Sequence, residues 1–242
     1  MKNIVVTFLA LVGAIALAAG GVFLWMNRPG RTAVSVNGRV LTDQELTWRA
    51  ETLIYDAKRM ERLLIPERRR DEALRYYRRM AAKMWIVKEV MLAAAVESGV
   101  KVSPEDEKTS FSKAEAQLRS RNMTMEQFFK EGPIPEEMKR SDFRESVLIE
   151  KFTRREIDGK LGFGAKEIDD KTKELCELNA IASKAGRKPP YRTDRKSVID
   201  AVRQDKYNVA FRALFRERFG RMSVKCPAFP ELETVDGVSP PR

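Results

Sequence analysis

Apolar residues recur at alternating intervals of four and three in two successive stretches of the chain, the spacing that gathers side chains on one face of an α-helix. Leu46, Ala50, Leu53, Ala57 and Met60 form the first stripe; Ala73, Tyr77, Met80, Met84, Val87, Met91 and Ala94 form the second. Thr42 and Glu45 have the spacing of a capping box, which predicts a helix from there to about Leu64. Pro66 suits the first position of the second helix and Gly99 its end. Nearly every residue beyond Met84 is apolar, so that half is expected to be the central buried helix.

Ser103-Pro104-Glu105-Asp106 opens a third helix carrying Phe111, Ala114 and Leu118 to about Asn122. Thr124 caps a short helix that holds Phe128 and Phe129 and closes at Gly132-Pro133. A further helix runs from about Pro135 to Ile157, with Phe143, Val147, Leu148 and Phe152 inward. Another covers Lys166 to Leu178. The last begins near Asp194 and ends before Gly220, with Tyr207, Phe211, Leu214, Phe215 and Phe219 on one side. Two strands are expected, Ala33–Val36 running into an Asn37-Gly38 turn and Met222–Cys226 stopped by Pro227. Residues 183–193 hold Gly186, Pro189, Pro190 and four basic residues, and read as an exposed linker. From Pro230 the polar, proline-ended tail (230–242) reads as disordered. The fold class is mainly α, with one short strand at each end.

Ahead of all this, Ile4 to Trp25 contains no charged residue. A run of about 20 residues spans the hydrocarbon layer of a bilayer. Trp25 stands where an interfacial aromatic belongs, before Asn27-Arg28-Pro29-Gly30. Residues 1–27 therefore read as a signal anchor; the alternative is a signal peptide cleaved after Ala16-Leu17-Ala18. Lys2 on one side, against Arg28, Arg31 and Arg39 on the other, would keep the main domain in the cytoplasm, whereas the signal-like layout favours export.

Composition narrows the chemistry. The chain has 242 residues and no histidine, which removes Ser-His-Asp and Cys-His triads and every imidazole metal site. Two cysteines, Cys176 and Cys226, are too few for a zinc cluster. No cofactor is implied, and the chain reads as a binding protein rather than an enzyme. Carboxylate pairs such as Glu136-Glu137 and Asp169-Asp170 sit among Lys and Arg, as on a solvated face. The net charge is +11, and from Ile181 onward 14 Lys and Arg face 7 Asp and Glu. Arg68-Arg69-Arg70 and Arg78-Arg79 invite nucleic acid, but Glu67, Asp71 and Glu72 dilute them and no nucleic-acid signature accompanies them. Anionic lipid or acidic client segments account for the excess equally well.

Four stretches, in order, resemble the SurA family of periplasmic chaperones and its membrane-tethered relatives. They are Val34-Ser35-Val36-Asn37-Gly38-Arg39-Val40-Leu41-Thr42, Ala94 to Glu105 around Gly99-Val100-Lys101-Val102-Ser103, Asn122 to Phe128, and Lys206 to Phe211 followed by Met222-Ser223-Val224-Lys225. The resemblance implies one chaperone-like helical domain over 33–229, with its first and last strands paired and its helices packed around an apolar groove. Family members insert a parvulin prolyl-isomerase domain where this chain has only the 183–193 linker. Parvulin sites also use histidine, so isomerase activity is not expected.

The implied function is that of an extracytoplasmic chaperone held at the inner membrane by a single N-terminal helix. It would bind unfolded or partly folded exported proteins through a groove lined by Tyr77, Met80, Met84, Met91, Phe128 and Phe129. If the anchor is cleaved, the domain would be a soluble periplasmic one. Two alternatives stand beside this reading: a scaffold or accessory subunit docked on one dedicated envelope complex, and a cytoplasmic-facing, membrane-tethered nucleic-acid binder. The family fold would also return the last helix beside the helix that precedes the linker. Cys176 and Cys226 are then either a disulfide pair or two quiet thiols.

Overall fold

The computed structural model describes residues 30–61, 69–120 and 122–238. The anchor segment, the Pro66 helix start and the last four residues of the tail lie outside these. Among the described residues no helix is long and apolar enough to cross a membrane.

Strand β1 (Thr32–Val36) turns at Asn37-Gly38 into β2 (Arg39–Thr42), pairing Val36 with Arg39 and Val34 with Leu41. Asn37 and Gly38 both have positive φ, 48° and 85°, as a two-residue hairpin turn of matching twist requires. β3 (Val224–Lys225) pairs with the other edge of β1, giving the order β2-β1-β3. The first and last strands are thus neighbours. Asn37 fastens this junction: its backbone N–H donates to the Ser223 carbonyl at 2.9 Å and its Oδ1 accepts from the Ser223 N–H at 2.8 Å. The second strand was not expected, because Arg39 and Val40 are both exposed and give no alternation to read.

Helix α1 (Asp43–Glu61) begins at the capping box, with Thr42 N–H donating to Glu45 at 2.8 Å and Glu45 N–H to Thr42 Oγ1 at 3.2 Å. Helix α2 (Arg70–Glu97) packs along it, and Gly99, at φ 67°, ends it. Capping boxes at Ser103/Asp106 and Thr124/Gln127 open α3 (Pro104–Arg119) and α4 (Met125–Lys130). Helix α5 (Glu136–Ile157) crosses α2. Helices α6 (Ala165–Lys184) and α7 (Arg195–Phe219) complete the set. α6 outlasts its expected end at Leu178, since nothing between Asn179 and Lys184 disfavours helix.

The main core joins the sheet, α1, the second half of α2, α5 and the end of α7, around the fully buried Leu46, Ile86, Phe152 and Phe215. A second, smaller cluster of Leu175, Val198 and Val202 lies between α6 and the first half of α7. These two helices therefore form an arm with its own seam.

The tail corrects the sequence reading. Pro230–Glu233 makes a 3-10 turn and Val235–Val238 a helical turn, α8, and both Leu232 and Val238 are fully buried in the main core. Pro230 starts the turn in a position that needs no N–H donor, and Leu232 and Val238, with Phe229 and Val235 packed beside them, dock it on the core. The expected disorder does not apply to residues 230–238.

Candidate functional site: an aromatic cleft beside a charged clamp

Six charged side chains from four elements meet where α5 crosses α1 and α2. Arg49 of α1 pairs with Asp142 of α5 at 2.8 Å. Lys88 of α2 lies 2.5 Å from both Asp142 and Glu145. Arg39 of β2 reaches Glu145 at 2.9 Å and Glu89 at 3.0 Å. Glu89 is only 2% exposed, and its carboxylate oxygens make no hydrogen bond of good geometry. Burial pushes its carboxyl above the usual range, and the charges of Lys88 and Arg39 only partly offset this. Burial also acts on Asp142 and Glu145, but there the hydrogen bonds and charges of Arg49, Lys88 and Arg39 win and hold both carboxyls low. The clamp fixes the rotation of α5 and so decides where Phe143, between the two clamped acids, points.

Phe143 stands between two cavities. One, of about 270 Å³, is bounded by Thr52 and Tyr55 of α1, Met123, Phe128 of α4, Ile134, and Lys139 and Phe143 of α5. The other, of about 390 Å³, lies between α3 and α5 and is bounded by Phe111, Phe129, Phe143, Lys108, Arg140 and Arg144. Phe111 and Phe129 each meet the Phe143 ring edge-on at 6.2 Å, and Phe129 meets Phe128 at 5.5 Å. The two ends of this chain of four rings, Phe111 and Phe128, are each 40% exposed. Arg140 stacks on Phe129 with its guanidinium carbon 4.3 Å from the ring centre.

Lys139 is 7% exposed at the wall of the first cavity. Its ammonium donates to the carbonyls of Phe128, at 3.0 Å, and Glu131. Burial lowers its pKa against the charges of Asp56, Glu131 and Glu136. With two backbone carbonyls as partners, the amine holds the α4–α5 turn in place and is a structural group. Among the described residues no group of three or more Cys, Asp or Glu is arranged to hold a metal ion.

The groove expected from the sequence is divided by the structure. Met91 is 1% exposed and Phe129 3%, so both are packing residues, and Tyr77 is half-buried against the main core. Met80 and Met84 are exposed on α2, but neither borders either cavity. Of the six, Phe128 and Phe129 border the cleft. Phe143, expected inward on α5, and Phe111, carried on α3, are the residues that complete it. Their spacing along α3 and α5 signals a buried face, and only the shortness of α4 leaves that face open; α3 buries no residue fully. Cys176 is exposed on α6 and Cys226 is buried, and both are free thiols, so no disulfide joins them. Burial pushes the Cys226 thiol up to about 11. No protein-family model matches the chain, and no curated protein is significantly similar to it.

Proposed function

We propose that this protein is a chaperone-like module that binds extended apolar segments of unfolded or partly folded exported proteins, without isomerase activity, held at the membrane by Ile4–Trp25. The observation that carries the reading is the pair of cavities sharing Phe143. Each is at or below the small end of ligand pockets, about 300–1,000 Å³, which suits single side chains of an extended segment rather than a folded partner. The exposed edges of Phe111 and Phe128 supply apolar area at about 25 cal/mol per Å². Lys108, Arg140 and Arg144 outnumber Glu107 around the second cavity, and although Arg140 also pairs with Glu136, the balance favours segments with nearby acids. The order of the four family-like stretches and the pairing of the first strand with the last agree with this reading.

The test is suppression of aggregation of a denatured outer-membrane protein by the chain and by its Phe111→Ser/Phe128→Ser variant. The expected result is suppression near stoichiometric amounts by the chain and a several-fold weaker effect of the variant, both assayed well below the unfolding temperature of each. No suppression at several-fold excess, or equal suppression by both, overturns the reading. A single stoichiometric partner in a crosslinking pull-down would replace it with the scaffold.

A further inference from the structure

The free end of the α6–α7 arm carries Lys184, Arg187, Lys188, Arg192, Arg195 and Lys196 within a stretch that contains one acid, Asp194. Asp194 is already engaged as the cap of α7, accepting from the Ser197 N–H at 3.1 Å and its hydroxyl at 2.7 Å. Among the described residues none of the six cations makes an ion pair, whereas several basic residues elsewhere pair along their own helices, as Arg119, Lys130 and Arg154 do, or across elements, as Arg49, Lys88 and Lys206 do. Arg195 and Lys196 lie in the first turn of α7, which has no acid, against the helix dipole. Folding alone gives no reason for that placement.

The tip is shaped rather than loose. Gly186, at φ 69°, ends α6, with the Arg187 N–H returning to the Ala182 carbonyl at 2.9 Å. The Asn179 amide holds the Tyr191 backbone from both sides, at 2.8 and 3.0 Å. Between these ties Pro189-Pro190 restricts the loop to extended conformations. Beside the cations stand apolar side chains in water: Ile181 is 64% exposed, Leu178 on the same face of α6 is 38%, and Tyr191 is 47%.

We infer that this tip docks on an anionic lipid bilayer, with the six cations at headgroup phosphates and Ile181, Leu178 and Tyr191 entering the interface. Cations alone would fit nucleic acid as well. The exposed aliphatic pair beside them, with a tyrosine at its edge, has no use on a phosphate backbone and is what an interfacial site needs. The site is separate from the aromatic cleft, so it stands whether or not the cleft binds clients. Docking there would set the arm, and with it the domain, at a fixed attitude to the membrane surface.

The full chain carrying Cys176→Ser and Ile181→Cys, labelled at 181 with an environment-sensitive fluorophore, is reconstituted with phosphatidylcholine vesicles with or without phosphatidylglycerol. Phosphatidylglycerol should blue-shift the label and shield it from acrylamide, and high salt should reverse both. Each cation near an anionic surface contributes about a fivefold factor in partition. Reversing Lys184, Arg187, Lys188 and Arg192 to Glu should therefore abolish the shielding, while helix content stays unchanged. Equal quenching on both vesicle types overturns the inference. So does stronger shielding by a single-stranded oligonucleotide than by phosphatidylglycerol.

Discussion

Replacing Lys88 by Met keeps the aliphatic stem and removes the cation that bridges Asp142 and Glu145 of α5. Its ammonium lies 2.5 Å from Asp142 and from Glu145, and 3.6 Å from Glu89. Removing one partner of a fully buried pair costs about 3–5 kcal/mol, because the remaining charge is left uncompensated. Lys88 is 19% exposed and its partners 25% and 21%, so water takes up part of the loss and we expect about 2–3 kcal/mol at neutral pH.

The pH dependence has a definite sign. Asp142 and Glu145 are held low in the folded protein, so they add stability above their unfolded values, near 4, that is lost as pH falls through their folded ones. The variant lacks much of that gain, and the gap should narrow below about pH 4. Glu89 acts oppositely: burial raises it, so its contribution declines as pH rises from its unfolded toward its folded value. Without Lys88 that decline extends to higher pH. Urea unfolding at neutral pH and near pH 4, with the Lys88→Met/Asp142→Asn cycle, measures each quantity. A loss under about 0.5 kcal/mol at neutral pH, or a gap that widens in acid, refutes the clamp.

Leu232→Ala should cost about 2–4 kcal/mol, read by urea unfolding, because the tail is part of the core. A Cβ at Gly237 would collide with the Glu231 carbonyl oxygen, a backbone atom, so Gly237→Ala should destabilise by about 1–3 kcal/mol although the side chain is small. Native protein at mildly alkaline pH should take up one equivalent of iodoacetamide, at Cys176, and a second only on denaturation, since Cys226 is buried with its thiol pushed up to about 11. Mass mapping of the alkylated peptides decides it.

Local chemistry was legible in the sequence where one residue and its near neighbours determine the outcome. The Thr42/Glu45 capping box, the Ser103 and Thr124 caps, the Asn37-Gly38 turn and the Gly99 stop are of that kind, and each stands where the pattern predicts. The α2 stripe was harder. A four-three repeat identifies a face but not which flank of it meets the core, and here Ala81, Ala82 and Trp85 turn inward while Met80 and Met84 stay in water. The tail escaped because Phe229, Leu232, Val235 and Val238 recur every third residue among acids, a proline and a glycine, a spacing that fits neither a strand nor a sustained α-helix. The clamp escaped because its partners are far apart in sequence, with Arg39 and Glu145 separated by 106 positions. On a single helix such charges look like a solvated face; only the meeting of α5 with α1, α2 and β2 makes them a half-buried network around Glu89.

The central claim is that the cleft around Phe143, and not the exposed methionines of α2, takes the apolar segment. Placing the photocrosslinking residue p-benzoylphenylalanine at Phe128 in one variant and at Met84 in another, then irradiating each with an extended, unfolded fragment of an outer-membrane protein, tests it most directly. Crosslinking at 128, competed away by excess unlabelled fragment and weakened by Phe111→Ser, with little at 84, is the result the cleft predicts. Crosslinking at 84 alone, or at neither position, contradicts it.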